Sequence, residues 1–219
     1  MLSPGYAKAH SLRAFAELRS FATGASDLES ALSVAHRHAQ MALTLDDQDA
    51  WAYFSLGGLR FWRGEYEEAI AEYRGAIELN PNFAIAHGFL GESLAWDCKP
   101  DAAIEAVDRA MRMSPHDPFN AVHLLTAGTA HFVAQRYAEG VACERKALQE
   151  RPRLVAALRM LAACYTGLDR LNEAQAAISE VLSFEPGSSM KKLSERPGFT
   201  RSGDQERFIG ALRKAGLPE

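Results

Sequence analysis

Four prolines set the frame into which this chain can fold. Pro81, Pro115, Pro152 and Pro186 stand 34, 37 and 34 residues apart, and each closes a stretch of helical periodicity. Proline ends a helix because it lacks an N–H and disfavours helical backbone in the residue before it. Small residues run in phase with these prolines. Ala76, Ala110, Ala147 and Val181 lie five residues before them, and Ala69, Ala103, Gly140 and Ala174 lie twelve before. A third column, Gly57, Gly91, Gly128 and Ala162, lies twenty-four before. An internal period of this length marks a stack of similar two-helix units, each burying its apolar face on the next.

Each column has a physical reason. The Gly57 column belongs to the first helix of a unit, where the second helix crosses closely, and the Ala69 column is its partner on that second helix. The Ala76 column packs the second helix on the next unit. Distance between helices depends on the side chains at contact, so a large residue in any of these columns would push a pair apart. Bulky columns, Leu56, Leu90 and Leu161, then Tyr66, Tyr137 and Leu171, fill the remaining space. The pattern predicts helices over 49–62, 66–79, 83–97, 100–113, 118–134, 138–150, 154–167 and 171–183.

A degenerate unit precedes these four. Leu2–His10 matches Leu79–His87 almost column for column, and Ala35 and Ala42 stand at the right distances before Asp47. Its helices are predicted over 7–21 and 27–44, separated by an insertion around Ala22–Ala25. Ser26 and Glu29 have capping-box spacing at the start of the second. Beyond Pro186 the period stops. A short helix is expected near Lys191, and a last one from Ser202, with capping spacing to Gln205, to about Ala215. Phe208, Ile209, Ala211 and Leu212 give that last helix one apolar face, which suits a terminal cap.

These columns resemble the tetratricopeptide repeat (TPR), with its W-x2-L-G-x2-Y…A-x3-F…A…P pattern. Departures are Gly140 in place of alanine, three extra residues in the His116–Asn120 turn, and Cys98-Lys99-Pro100 where Gly-x-Tyr is usual between helices. The resemblance implies an all-α fold, a right-handed TPR superhelix of about five helical hairpins plus a C-terminal capping helix. Residues 1–48 are the degenerate unit, 49–82, 83–116, 117–153 and 154–187 the regular ones, and 188–219 linker and cap. It implies a protein–protein interaction scaffold in a bacterial cytoplasm. The SPHDPF turn, the first-unit insertion and the tail RPGFTRSGDQERFIGALRKAGLPE resemble the C-terminal TPR region of bacterial multidomain proteins. Those carry a class III adenylate/guanylate cyclase domain or a winged-helix domain upstream. Pro4 occupies a unit-closing column with no unit before it, so a longer parent polypeptide is expected, with an N-terminal effector domain as one partner. No cyclase or winged-helix residues occur here, and a non-catalytic cyclase tail is the alternative. On this view Tyr6, Ala14, Phe15 and Leu18 face an upstream neighbour, and either the 21–26 insertion or another molecule covers them.

In such arrays the first helices line a concave groove. The second unit contributes Trp51, Phe54, Phe61 and Trp62 to it. The third contributes Phe89, Glu92 and Trp96, and the fourth Leu125, Thr129 and Phe132. So many aromatics on one face exceed what a solvated surface shows, and contiguous apolar surface marks binding sites. Helical grooves take up amphipathic or extended peptides. The competing reading is that the insertion, the C-terminal segment or a second copy covers these side chains. Alanine at Phe54 and Trp62 is expected to abolish partner binding and leave helicity intact.

Other functions find little footing. With 24 basic and 28 acidic residues the net charge is −4, which gives no field for nucleic acid. No run reaches the roughly 18 apolar residues of a membrane span. Cys98, Cys143 and Cys164 form no CxxC pair and no disulfide ladder, as expected in a reducing compartment. His36 and His38 point about 200° apart on a helix and cannot share a metal, while His10, His87 and His131 fall in packing columns. Cys98 sits in a turn without a His–Asp or His–Asn partner. Acidic runs such as Glu65–Glu68 occur where helices begin and favour the dipole there. No catalytic residue, metal or cofactor is called for.

Overall fold

The computed structural model describes residues 5–22 and 27–219. It is all-α, with no strand among the described residues. Five helix pairs follow in order: α1 (Ala7–Ala22) with α2 (Leu28–Leu45), α3 (Ala50–Trp62) with α4 (Tyr66–Leu79), α5 (Ala84–Trp96) with α6 (Pro100–Met113), α7 (Asn120–Val133) with α8 (Tyr137–Glu150), and α9 (Val155–Gly167) with α10 (Leu171–Phe184). A short α11 (Met190–Ser194) and a terminal α12 (Ser202–Lys214) complete the chain. Each pair packs as an antiparallel hairpin, and α5, α7 and α9 also touch in succession. The helices begin and end within two residues of where the columns place them.

The glycine column works as expected, with a change of partner. A Cβ on Gly91 would stand 2.9 Å from the Ala103 carbonyl oxygen and 2.6 Å from Val107 Cγ1. On Gly57 it would meet the Tyr73 ring at 2.7 Å, and on Gly128 the Glu144 carboxyl at 2.0 Å. The side chain lying over each glycine therefore comes from four residues beyond the Ala69 column, one helical turn along. Ala69, Ala103 and Ala174 are themselves fully buried.

The turns inside the hairpins share one backbone shape despite unrelated residues. Gly64, Cys98, Gln135 and Asp169 have φ of 77°, 56°, 59° and 58°. The next residue's N–H reaches back to the helix end each time, from Glu65 to Arg60 O, Lys99 to Leu94 O, Arg136 to His131 O and Arg170 to Tyr165 O. This is the Schellman termination, which glycine enters without a Cβ penalty and other residues adopt less readily. The Cys98-Lys99-Pro100 departure thus keeps the geometry. Pro100 opens α6 at its first position, where a missing N–H costs nothing.

Both expected capping boxes come out differently. Asp27, not Ser26, caps α2, its carboxylate accepting the Ser30 N–H at 2.9 Å; Ser26 lies outside the described residues. Ser202 is the first residue of α12 rather than its cap. Gln205 instead accepts the Phe199 N–H at 3.0 Å, which ties the preceding segment to the helix.

The first hairpin also departs from expectation. Ala14 and Leu18 are buried against Ala35, Ala39 and Leu59, and Phe15 turns inward onto Trp51 and Phe54. They pack within the molecule, not on an upstream face. Of that set Tyr6 alone is open, 58% exposed. Residues 23–26 of the expected covering insertion lie outside the described residues, while Phe21 packs edge-on against Trp62 at 4.9 Å.

At the other end α12 packs on α9 through buried Phe208, Ala211 and Leu212. Asp204, 2% exposed, holds Arg207, whose guanidinium also donates to the Val133 carbonyl at 3.2 Å. That contact covers open carbonyls at the end of α7, which lack helical partners.

Candidate partner-binding face

The face made by the first helices of the hairpins holds all ten groove candidates, but not as one open channel. Two adjoining cavities remain along it, of about 140 Å³ and 210 Å³. Phe61, Trp62 and Glu92 wall both. Trp96, Leu125 and Thr129 complete one and Phe54 and Phe89 the other. The remaining two candidates sit in packing. Trp51 lies among Phe15, Phe54 and Phe83, and Phe132, 1% exposed, lies among Tyr137, Phe199 and Phe208.

Chain segments close both ends of this face. On the α3 side, Phe15 of α1 stands 5.3 Å from Phe54 and 5.7 Å from Trp51. On the α7 side, residues 197–200 cross the helices. Phe199 stacks on Trp96 at 4.5 Å with rings 20° apart. The Thr200 N–H donates to the Trp96 carbonyl at 3.1 Å, and the Tyr66 hydroxyl donates to the Gly198 carbonyl at 2.9 Å. Stacked aromatics at such distances contribute about 0.5–1.5 kcal/mol beyond area burial. The C-terminal segment therefore covers part of the apolar face, as the competing reading from sequence has it, and the cavities are what stays open.

Burial divides the candidates further. Phe54 is 2% exposed, Thr129 2% and Phe61 8%, so these three are core residues with one edge at a cavity. Thr129 donates its hydroxyl to Leu125 O at 2.9 Å. Truncating Phe54 removes core packing, which costs about 3–5 kcal/mol for a buried phenylalanine. The expected loss of binding with helicity intact on Phe54→Ala therefore does not hold as a test. Trp62, Phe89, Glu92, Trp96 and Leu125 are half-buried and present surface to an incoming group.

The electrostatics centre on Glu92. Burial raises its carboxyl to about 7, and Arg19 on α1 pulls the other way. Tyr66 and Tyr73 on α4 are held well above the phenol range, by burial first and by Glu92 second. Arg19 sits over the Phe119 ring at 5.0 Å, with its own proton affinity lowered by burial, raised by Glu92 and lowered by Arg151. Arg151, at the end of α8, donates to the Pro118 carbonyl at 3.0 Å. Arg159 of α9 pairs with Glu185 at 2.6 Å and Ser188 at 2.7 Å. Arg196, exposed, borders both cavities. The repeat columns contain none of these arginines, which enter from α1, from the end of α8, from α9 and from the segment after α11.

Other side chains fall outside this face. His10 and His38 stack at 5.1 Å with their Nδ1 atoms 2.9 Å apart, a pairing across α1 and α2 that a search along one helix misses. Among the described residues no three His, Cys, Asp or Glu side chains are grouped to hold a metal. Cys98 is buried, not open in its turn, and burial pushes its thiol up, away from nucleophilic use. No helix among the described residues is long and apolar enough to cross a membrane.

Comparisons with known proteins agree on the architecture. A family model described as TPR repeat matches residues 59–95, from the end of α3 through α4 to the end of α5. No curated protein matches the chain in sequence. Among solved structures, PilW, a widely conserved type IV pilus biogenesis factor, is similar with a TM-score of 0.69 at 15% identity, over 94% of this chain and 89% of that one. A thermophilic TPR protein of Thermus thermophilus gives 0.66 at 18%, over 93% and 99%. MamA from Desulfovibrio magneticus gives 0.57 at 19%, over 81% and 95%. At these identities the likeness shows the fold. With the repeated hairpins and turns above, it makes this chain an all-α solenoid of the TPR type.

Proposed function

We propose that this protein is a non-enzymatic scaffold whose inner face binds a segment of a partner polypeptide between α3 and α9. The segment comes from a separate protein or from an effector domain of the same polypeptide. The observation that carries this reading is the pair of adjoining cavities, walled by eight of the ten groove candidates. Small apolar recesses with a few convergent polar groups are where helical scaffolds take up side chains. A phage-displayed library of random linear dodecapeptides tests it. Selected binders should lose at least about tenfold in affinity for a Trp62→Ala/Leu125→Ala variant, since aromatic anchors at interface centres carry about 2 kcal/mol or more. Circular dichroism should show helicity unchanged in that variant. A selection that returns no binder, or only binders indifferent to both side chains, would remove the reading.

Self-association is a second reading, favoured by one observation. Among the described residues, the large apolar side chains that stand exposed, Tyr6, Leu12, Met41 and Leu45, all belong to the first hairpin. Exposed large apolar side chains gathered on one hairpin favour an interaction surface there. Sedimentation should show a concentration-dependent dimer, and Leu12→Glu/Met41→Glu should be monomeric. A wild type that stays monomeric over the same range would discard this reading.

A further inference from the structure

We infer that residues 197–200 are an internal ligand of the inner face, displaced when a partner sets its own aromatic side chain on Trp96 where Phe199 lies. This deepens the proposed peptide-binding reading, on which it rests, by naming the partner's chemistry and the regulation of the face. The partner presents a segment carrying phenylalanine, tyrosine or tryptophan, followed by any residue but proline.

The segment is held as a bound peptide is held. One aromatic ring is inserted: Phe199 is 5% exposed, stacked on Trp96 at 4.5 Å and edge-on to Phe208 at 5.7 Å. The residues on either side of it bond through their backbone. The Gly198 carbonyl accepts from the Tyr66 hydroxyl at 2.9 Å, and the Thr200 N–H donates to the Trp96 carbonyl at 3.1 Å. Main-chain bonds give affinity without reading side chains, and a pocket for one side chain gives specificity. Any chain with an aromatic ring in this register and an N–H after it makes the same contacts. Proline in that next place has no N–H to give.

Two features fit the segment to give way. The first is that the elements on both sides of it have anchors of their own. Before it, α11 is tied to the chain end by the Met190 N–H, which donates to the Pro218 carbonyl at 2.7 Å. After it, α12 is seated on α9 by the fully buried Leu212. Residues 195–201 between them can therefore lift while both helices stay in place. The second feature is the cavity of about 140 Å³ beside the segment, with Arg196 and Pro197 on one wall and Trp62, Trp96 and Leu125 on the other. The segment fills the face incompletely, and an incoming chain has an open recess to enter first. A partner's ring then remakes the stacking that Phe199 gives up. While the segment is in place it lowers the apparent affinity of every such partner, by the fraction of molecules it keeps closed.

The displayed dodecapeptide library and one synthetic peptide decide the matter. Library clones should share an aromatic residue with no proline directly after it. The Phe199→Ala variant of the full chain should bind them about tenfold more tightly than the wild type, because nothing then competes for Trp96. It should also bind a synthetic peptide copying residues 194–203, and lose that binding when the peptide carries Phe199→Ala. Arg201→Ala keeps the test decisive should the first variant misfold. Its side chain is exposed and ties the segment to the Cys98 carbonyl at 3.2 Å. No incoming ring replaces that bond, so affinity should rise about threefold. In the wild type, clone binding should quicken exchange of the Thr200 amide, read by NMR, as its bond to Trp96 opens. Slowed or unchanged exchange there, or affinity unmoved in both variants, would overturn the internal ligand and leave the groove standing. Clones without the aromatic, or with proline after it as often as elsewhere, would overturn the partner's stated chemistry. No clones at all, or clones indifferent to Trp62→Ala/Leu125→Ala, would take down the groove itself.

Discussion

Gly91→Leu is expected to be among the most damaging single changes in this chain. Its Cβ would stand 2.9 Å from the Ala103 carbonyl oxygen and 3.3 Å from the Val107 backbone nitrogen. Those are main-chain atoms of α6, which cannot rotate aside as a side chain does. Relief requires the whole of α6 to move off α5. Overpacking a tight core costs about 1–3 kcal/mol and more when backbone must shift. A chain of this size loses about 2–4 °C of Tm per kcal/mol, so the drop should reach about 6–12 °C if the cost exceeds about 3 kcal/mol. In a solenoid the neighbours feel it first. Hydrogen exchange should therefore quicken in α4 and α7 before α10 or α12. Gly210→Ala is the control, because a Cβ there meets nothing within 4 Å. Thermal melting like that of the wild type in Gly91→Leu would mean the α5–α6 crossing is looser than described.

Glu144→Met is expected to act in the opposite direction and stabilise the protein. Glu144 of α8 is completely buried, and neither carboxyl oxygen has a hydrogen-bond partner among the described residues. It lies where Tyr73 and Val107 lie in their own hairpins, over the glycine of the first helix. Burial holds its carboxyl well above the usual carboxylate range. An unpartnered buried polar group costs about 1–3 kcal/mol, and methionine fills a similar volume with apolar atoms. The gain should be about 2 kcal/mol near neutral pH. The sign follows from linkage. The folded state holds this proton more tightly than the unfolded one, so the wild type is favoured at low pH. That advantage fades as pH rises from the ordinary glutamate value of about 4.3 toward the raised folded value. The slope approaches about 1.4 kcal/mol per pH unit for one proton. Urea denaturation at several pH values should show the gap between Glu144→Met and wild type widening above about pH 5. A gap that stays constant would mean that Glu144 is hydrogen-bonded or solvated when folded.

How far the sequence reached is clearest in Cys98 and Phe199. The proline period and the small columns determine the hairpins, because each column answers to contacts within one unit or with the next. Even the irregular Cys98-Lys99-Pro100 turn could be placed, although its left-handed Cys98 could not be told from composition. The candidate face was legible in its aromatics for the same reason: Trp62 and Trp96 stand at the same offset on their first helices. Phe199 obeys no period. Its stacking on Trp96 joins residues about a hundred positions apart, and the Tyr66 bond to Gly198 spans 132. Phe15 likewise turns inward onto Trp51 and Phe54 rather than toward a preceding unit. The arginines around Glu92 come from four separate elements and meet only after the hairpins have stacked. Local contacts repeat along the chain and leave a pattern in it. Contacts between the ends of the solenoid and its inner face occur once each, and only the tertiary structure decides which side chains they bury and which charges they bring together.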